Sequence, residues 1–238
     1  MPALPSVLGY VFHTTYAGTA TYCYISSTGV ILFGSSSGGT RSQSNSALSI
    51  NTWYHVAICR SGVTERMFID GVAQTQTSGQ LTHSLGTLYF GTDSSQTYYT
   101  KFYLSNFRIV KLTGLYSSNF TVPTSSLTAI TNTQLLMCQS ATMIDNSTNN
   151  FAITATGDVK PRTFNPFGTT TTTNISYTPT VNGGSMYFDG SGDYLNTAAI
   201  AGTGFGTGDY TIEFWAYPTV NNRQDWFDLN NGSSRLLI

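Results

Sequence analysis

Residues 51–73, Asn-Thr-Trp-Tyr-His-Val-Ala-Ile-Cys-Arg-Ser-Gly-Val-Thr-Glu-Arg-Met-Phe-Ile-Asp-Gly-Val-Ala, read as two strands and the turns that fold them together. From Trp53 to Arg60 the side chains fall into two alternating sets. Trp53, His55, Ala57 and Cys59 point one way; Tyr54, Val56, Ile58 and Arg60 point the other, because a strand sends successive side chains to opposite faces. Both sets are bulky, so this strand is expected to be covered on much of both faces. Ser61-Gly62 is a turn signal, Glu65 to Ile69 is a second alternating run, and Asp70-Gly71 supplies the positive φ of a tight hairpin turn. No 3.6-residue period occurs in the stretch.

Outward from this hairpin, Phe102 to Lys111 ("FYLSNFRIVK") is the other strong strand. Phe102 and Leu104 share a face, as do Phe107 and Ile109, and the phase slip at Ser105-Asn106 predicts a bulge. The stretch "NTWYHVAICRSG…RMFIDGVA" resembles the central hairpin of laminin-G-like, concanavalin A-like β-sandwich domains. The match is closest to the version found in tail, fibre and other virion proteins of bacteriophages. Residues 108–140, with a Tyr…Asn-Phe-Thr…Pro segment, resemble the part of that family that runs back over the sandwich, and Leu135-Leu136-Met137 would close the unit.

Composition agrees with an all-β chain. Of 238 residues only 9% are charged, and the net charge of −1 comes without a clustered basic patch, which argues against nucleic-acid binding. Aromatics, Thr, Ser, Asn and Gly are abundant, as in strands rich in Tyr, Phe and Thr punctuated by polar turns. Cys23, Cys59 and Cys138 are too few and too scattered for a disulfide framework; Cys23 and Cys59 read as small buried residues. Met1 to Gly9 lacks a secretory pattern, and no apolar run approaches the ~18–20 residues of a membrane span.

Further strands are expected at Tyr10–Phe12, Thr21–Ser26, Gly29–Gly34 and Leu88–Gly91, with a polar loop over Ser35–Ser46 and an exposed loop over Asp93–Thr100. Residues 141–184 read as a short β-rich connector followed by a Thr/Gly linker from 165. The pattern then restarts: "SMYFDGSGDYL" (185–195) and "FGTGDYTIEFWAYP" (205–218) resemble the opening strands of the same family. Tyr210, Ile212, Phe214 and Ala216 share one face; Thr211, Glu213, Trp215 and Tyr217 share the other. Residues 226–238 read as the next strand pair.

The organisation is therefore 1–140, a laminin-G-like sandwich lacking its opening strands; 141–184, connector and linker; and 185–238, the opening strands, in permuted order. Three arrangements fit this order: a window on a tandem array, a permutant that completes its own sandwich, and strands exchanged with a neighbouring subunit. Unpaired strand edges recruit another strand, which gives the exchanged form a physical basis.

Catalytic constellations are sparse. A glycosidase needs two carboxyl groups roughly 5–5.5 or 6.5–9.5 Å apart, yet Glu213, the best candidate, has Thr211 and Trp215 as same-face neighbours, and the family's Glu-x-Asp-x-x-Glu pattern is absent. His13, His55 and His83 are isolated, and His55 reads as a hydrogen-bonded structural imidazole. No cofactor is required; calcium is the candidate metal, because the resemblance implies Ca²⁺ held by Asp side chains and Asp189, Asp193 and Asp209 lie in Gly-rich turns, Asp193 foremost. Candidate glycan contacts are Asp93, Gln96, Tyr98, Tyr99, Arg223 and Trp226. Asn-x-Ser/Thr sequons at Asn119, Asn146, Asn174 and Asn231 are what a Thr/Asn/Ser-rich chain produces by chance.

The expected fold is an all-β, concanavalin A-like antiparallel β-sandwich. The expected role is that of a non-enzymatic structural and adhesive virion module at a virion surface or outside cells. Its partners would be copies of itself, other virion subunits and cell-surface glycans, without nucleic acid or membrane insertion. A filament subunit assembled by strand exchange is the first alternative, and a glycan-cleaving enzyme the second.

Overall fold

The computed structural model describes residues 21–35, 39–76, 83, 86–92, 96, 98–168, 183–198, 204–220 and 224–230, with the backbone alone at 21–22, 35, 39–41, 76 and 224–230. The expected strand at 10–12 lies outside these. Sixteen strands are present among the described residues: β1 Thr21–Ile25, β2 Ile31–Ser35, β3 Gly39–Gln43, β4 Tyr54–Ser61, β5 Thr64–Ile69, β6 Val72–Ala73, β7 Thr75–Gln76, β8 Thr87–Phe90, β9 Lys101–Lys111, β10 Thr133–Met137, β11 Ile153–Thr156, β12 Lys160–Arg162, β13 Ser185–Asp189, β14 Tyr194–Thr197, β15 Tyr210–Pro218 and β16 Gln224–Asn230. They form two antiparallel sheets. The first has the order β11-β14-β8-β16-β1-β2-β3-β7; the second, β12-β13-β9-β15-β4-β5-β6, with β10 beside β13 on the same edge of β9.

The alternation along 53–60 explains the layering. Val56 and Ile58 of β4, Met67 and Ile69 of β5, and Ile212, Phe214 and Ala216 of β15 face the first sheet and join Phe33, Leu88 and Phe90 in the core. Ala57, Cys59 and Phe68 face the other way, under Tyr116 and Phe120. Asp70 and Gly71 both have positive φ (49° and 77°) in the two-residue turn joining β5 and β6, the conformation this dipeptide favours. A Cβ on Gly71 would collide with the Phe120 carbonyl. The bulge lies where the phase slip puts it. Asn106 has a φ of 53°, and the β9–β15 register jumps between Arg108–Glu213 and Ser105–Trp215, so Phe102, Leu104, Phe107 and Ile109 all reach the core.

The polar stretch 35–46, expected to be a loop, contains β3. Gly39, Thr40, Ser42 and Gln43 pair with β2, because a ladder position needs backbone N–H and C=O groups rather than apolar side chains. Its Ser42 is buried.

Residues 112–130 form a strap over the outer face of the second sheet. Leu115 N donates to Thr211 Oγ1 (2.8 Å), Phe120 N to the Gly71 carbonyl (3.0 Å) and Leu127 N to Asn106 Oδ1 (2.7 Å). Strands from 185 onward lie inside the sheets built by the earlier residues. β15 pairs with β9 on one edge and β4 on the other, β13 with β9, and β16 with β8 and β1.

Deleting residues 185–238 should leave β4 and β9 with unpaired facing edges and abolish cooperative unfolding, measured by circular dichroism and light scattering. A shortened chain that stays folded and is completed by added 185–238 peptide would mean that these strands are interchangeable between copies.

Candidate functional site

Glu213 sits at the middle of β15 on its outward face and is fully buried beneath the strap. Its Oε1 accepts from Arg108 Nε at 2.9 Å and Nη2 at 2.5 Å; its Oε2 accepts from Tyr116 Oη at 3.0 Å and His55 Nε2 at 3.3 Å. Arg108 Nη1 in turn donates to the Thr128 carbonyl at 2.7 Å. These are the partners of a structural ion pair. Burial raises the Glu213 carboxyl pKa, but the His55 hydrogen bond and the Arg108 charge outweigh it and hold the group below its ordinary 4.5. A general acid needs the opposite shift.

A second buried carboxylate closes one end of the core. Glu65 Oε2 accepts from His83 Nε2 and from Tyr210 Oη, both at 2.6 Å. Arg60 lies over the Tyr210 ring and donates to the Gly206 and Gly208 carbonyls. Burial again acts upward and is outweighed, chiefly by His83, so Glu65 also stays below 4.5. His55 and His83 are thus both structural ligands of carboxylates. The thiols of Cys23, Cys59 and Cys138 are free and buried; burial pushes Cys59 up to about 12.

Two of the three candidate calcium ligands meet. Asp189 and Asp193 flank the turn between β13 and β14, and Asp158, from the turn between β11 and β12, joins them, with one carboxylate oxygen of each within 4.8 Å of the others. Asp193 is buried, and its two oxygens accept from the backbone N–H groups of Asp158 (2.6 Å) and Asp189 (3.1 Å). Burial raises its pKa, and the charges of Asp189 and Asp158 add to that. Lys160 pairs with Asp158. Asp209 is not part of this group. It accepts from Gly62 N (2.7 Å) at the β4–β5 turn. Asp189 pairs with Lys101 and Tyr210 with Lys111, so the two sites sit at opposite ends of β9, about 30 Å apart at ~3.3 Å per residue. Asp158 was missed because 35 residues separate it from Asp193; its "TGDV" turn resembles the "GSGDY" turn and was the available signal.

The candidate glycan residues are less gathered. Gln96 is exposed with φ 54°, and Tyr98 and Tyr99 are half-buried beside the Thr92–Tyr99 bridge. Asp93 and Arg223 lie outside the described residues. Trp226 lies on β16, the strand between β8 and β1, where only its backbone is described.

The outer face of the second sheet shows a cluster that the sequence reading did not single out. Beyond the strap, Trp53, Tyr103, Tyr187 and Tyr217 project outward from four neighbouring strands or their ends, and Phe164 lies among them. Trp53 is 5.3 Å from Phe164 and 5.4 Å from Tyr217, and Tyr103 is 4.8 Å from Tyr187, between ring centroids. Phe164 is 42% exposed and the other four are half-buried. Arg162 stands over the Tyr187 ring at 5.7 Å. Burial, then the neighbouring Tyr187, raises the Tyr103 hydroxyl pKa and keeps it neutral. The signal was present: Trp53, Tyr103 and Tyr217 occupy the outward phase of their strands.

This architecture, two antiparallel sheets with helices absent from the described residues, is an all-β sandwich of the concanavalin A-like type. Residues 5–113 match the Laminin_G_3 family model, described as the concanavalin A-like lectin/glucanases superfamily. The strands β10 to β16, which complete both sheets, lie beyond that match. No curated protein and no solved structure matches the chain. No helix among the described residues is long and apolar enough to cross a membrane.

A carboxyl held below its ordinary pKa contributes stability above that ordinary value and loses it as pH falls through the lowered one. Urea unfolding from pH 7 downward should therefore show stability declining below about pH 4.5. Glu213→Gln should flatten that decline. Glu213→Ala, which leaves Arg108 buried and unpaired, should cost about 3–5 kcal/mol at pH 7.

Proposed function

We propose that the chain is a non-enzymatic structural and adhesive module of a bacteriophage particle, in a fibre, tail or capsid-surface protein, and that it recognises glycans through the aromatic face of its second sheet. The carrying observation is the cluster of Trp53, Tyr103, Phe164, Tyr187 and Tyr217 on rigid strands, half-covered and rimmed by phenol groups. Flat rings of this kind cover the apolar faces of sugar rings, while hydroxyls serve their edges. The non-enzymatic reading is supported by Glu213, whose oxygens are occupied by an arginine, a histidine and a tyrosine. The phage setting rests on the resemblance of 51–73 and 108–140 to that version of the family. Weak single sites would gain avidity from many copies in one particle, a location outside the cell that lysis would reach.

Calcium would have a place at the outer turns. Asp158, Asp189 and Asp193 offer hard oxygens, and the ion would neutralise carboxylates of which Asp158 is paired with Lys160. Its role there would be to fasten the β11–β12 and β13–β14 turns together.

Binding to a surface array of bacterial polysaccharides should be detectable with the immobilised chain. Phe164→Ala or Tyr187→Ala should each weaken it by about 0.5–1.5 kcal/mol, roughly two- to tenfold. The same glycans should show no new reducing ends on incubation; release abolished by Glu213→Gln would make the chain a hydrolase instead.

Millimolar calcium should raise the melting temperature relative to EDTA, and Asp158→Asn should remove the response. An unchanged melting temperature in the wild type would leave the trio to its own cations, Lys160 and Arg162, without calcium.

A further inference from the structure

Between the strap and β10 lies a recess of about 500 Å³, within the roughly 300–1,000 Å³ of small-molecule sites. Its polar lining is neutral: the hydroxyls of Ser126, Thr128, Ser140 and Thr142 and the amides of Gln139 and Asn146. Leu127, Leu136 and the half-exposed Ile144 supply apolar wall. Among the described residues no lysine, arginine or carboxylate lines it, which disfavours phosphate, metal ions and charged peptides. Among the described residues no aromatic ring lines it either, so a ligand there would be held edge-on by hydrogen bonds rather than by stacking.

The walls are fixed before any ligand arrives. Buried Asp145 accepts from Leu136 N (3.0 Å), Ser147 N (2.8 Å) and Phe151 N (2.9 Å), which pins the loop after β10. Asn146 N donates to the Leu136 carbonyl (2.7 Å), Asn146 Nδ2 to Gln139 Oε1 (2.8 Å), and Gln139 Nε2 to the Leu127 carbonyl. On the strap side, Asn106 and Arg108 of β9 hold Leu127 N and the Thr128 carbonyl. Such preorganisation lowers the ordering cost of binding.

Hydrogen-bonding capacity is left over. The Ser126 and Thr128 side chains stand on the strap wall. Ser140 and Thr142 hydroxyls share one bond of 2.7 Å, so one of their protons remains to be donated, and each amide keeps a second donor or acceptor position.

We infer that this recess is a binding site for a neutral, hydroxyl-rich ring the size of one monosaccharide, separate from the aromatic face. The inference rests on the glycan reading above: the aromatic face would carry the length of a saccharide, and the recess a single residue or chain end.

The test is an amide nuclear magnetic resonance titration of the full chain with glucose, galactose, mannose and N-acetylglucosamine, each alone. At least one should shift amides in 126–129 and 139–146. Ala129→Trp, which fills the recess from an exposed position, should abolish those shifts, while Phe164→Ala should leave them. Shifts confined to the aromatic face, or recess shifts that survive Ala129→Trp, would overturn the recess and leave the glycan reading standing. Silence at both places, together with no binding on the polysaccharide array, would overturn both.

Discussion

The pairing of β15 along both its edges is the constraint on which the second sheet depends. Between β4 and β9 it fills the position where an unpaired strand would leave two rows of N–H and C=O groups without partners. A one-residue slip would turn Glu213 into the core and Phe214 out beneath the strap. Glu213 lies opposite Arg108 across the ladder, and their charge-assisted hydrogen bonds exist only in the native register. The buried pair therefore acts as a register pin, whatever its net worth in stability.

The bulge in β9 works with that pin. The extra residue at Ser105-Asn106 returns Phe107 and Ile109 to the core after Phe102 and Leu104. It also turns the Asn106 side chain to receive the strap at Leu127 N. The strap then covers one half of the outer face and excludes water from Glu213. Over the other half, among the described residues, the outward positions of the same strands carry aromatic rings, with Phe164 beside them. One sheet thus has a sealed half that holds the fold and a half whose outward positions are aromatic.

Local pattern was legible where one strand states both of its environments. The alternating sets of 53–60, the Asp70-Gly71 turn and the phase slip at 105–106 each appear in the structure where the residues put them. β3 was not legible, because its pairing runs through the backbone and its side chains read as loop. Long-range partnerships were less visible still. Glu213 and Arg108 are 105 residues apart, and Glu213 and His55 are 158 apart; spacing within a strand says nothing of such meetings. The acidic trio was two-thirds visible through its Asp-Gly turns, and the aromatic face assembles from five separate segments, none of which is unusual alone.

Those separations also bear on how the chain folds. The central strand of the second sheet comes after nearly everything it joins, so its contacts pay loop closure over more than 100 residues before they reward it. Until then β4 and β9 present open edges while their core faces, Val56, Ile58, Phe107 and Ile109 among them, lack the cover of Ile212 and Phe214. A chain in that state lacks β13 to β16 from both sheets, and a second copy carries the same strands. The place of a strand along the chain leaves the finished hydrogen-bond pattern unchanged, since a ladder depends on register and not on chain order. It does set where edges wait for a partner: β15 follows both β4 and β9 in the chain, so the edges it fills depend on the effective concentration of the chain's own distant strand.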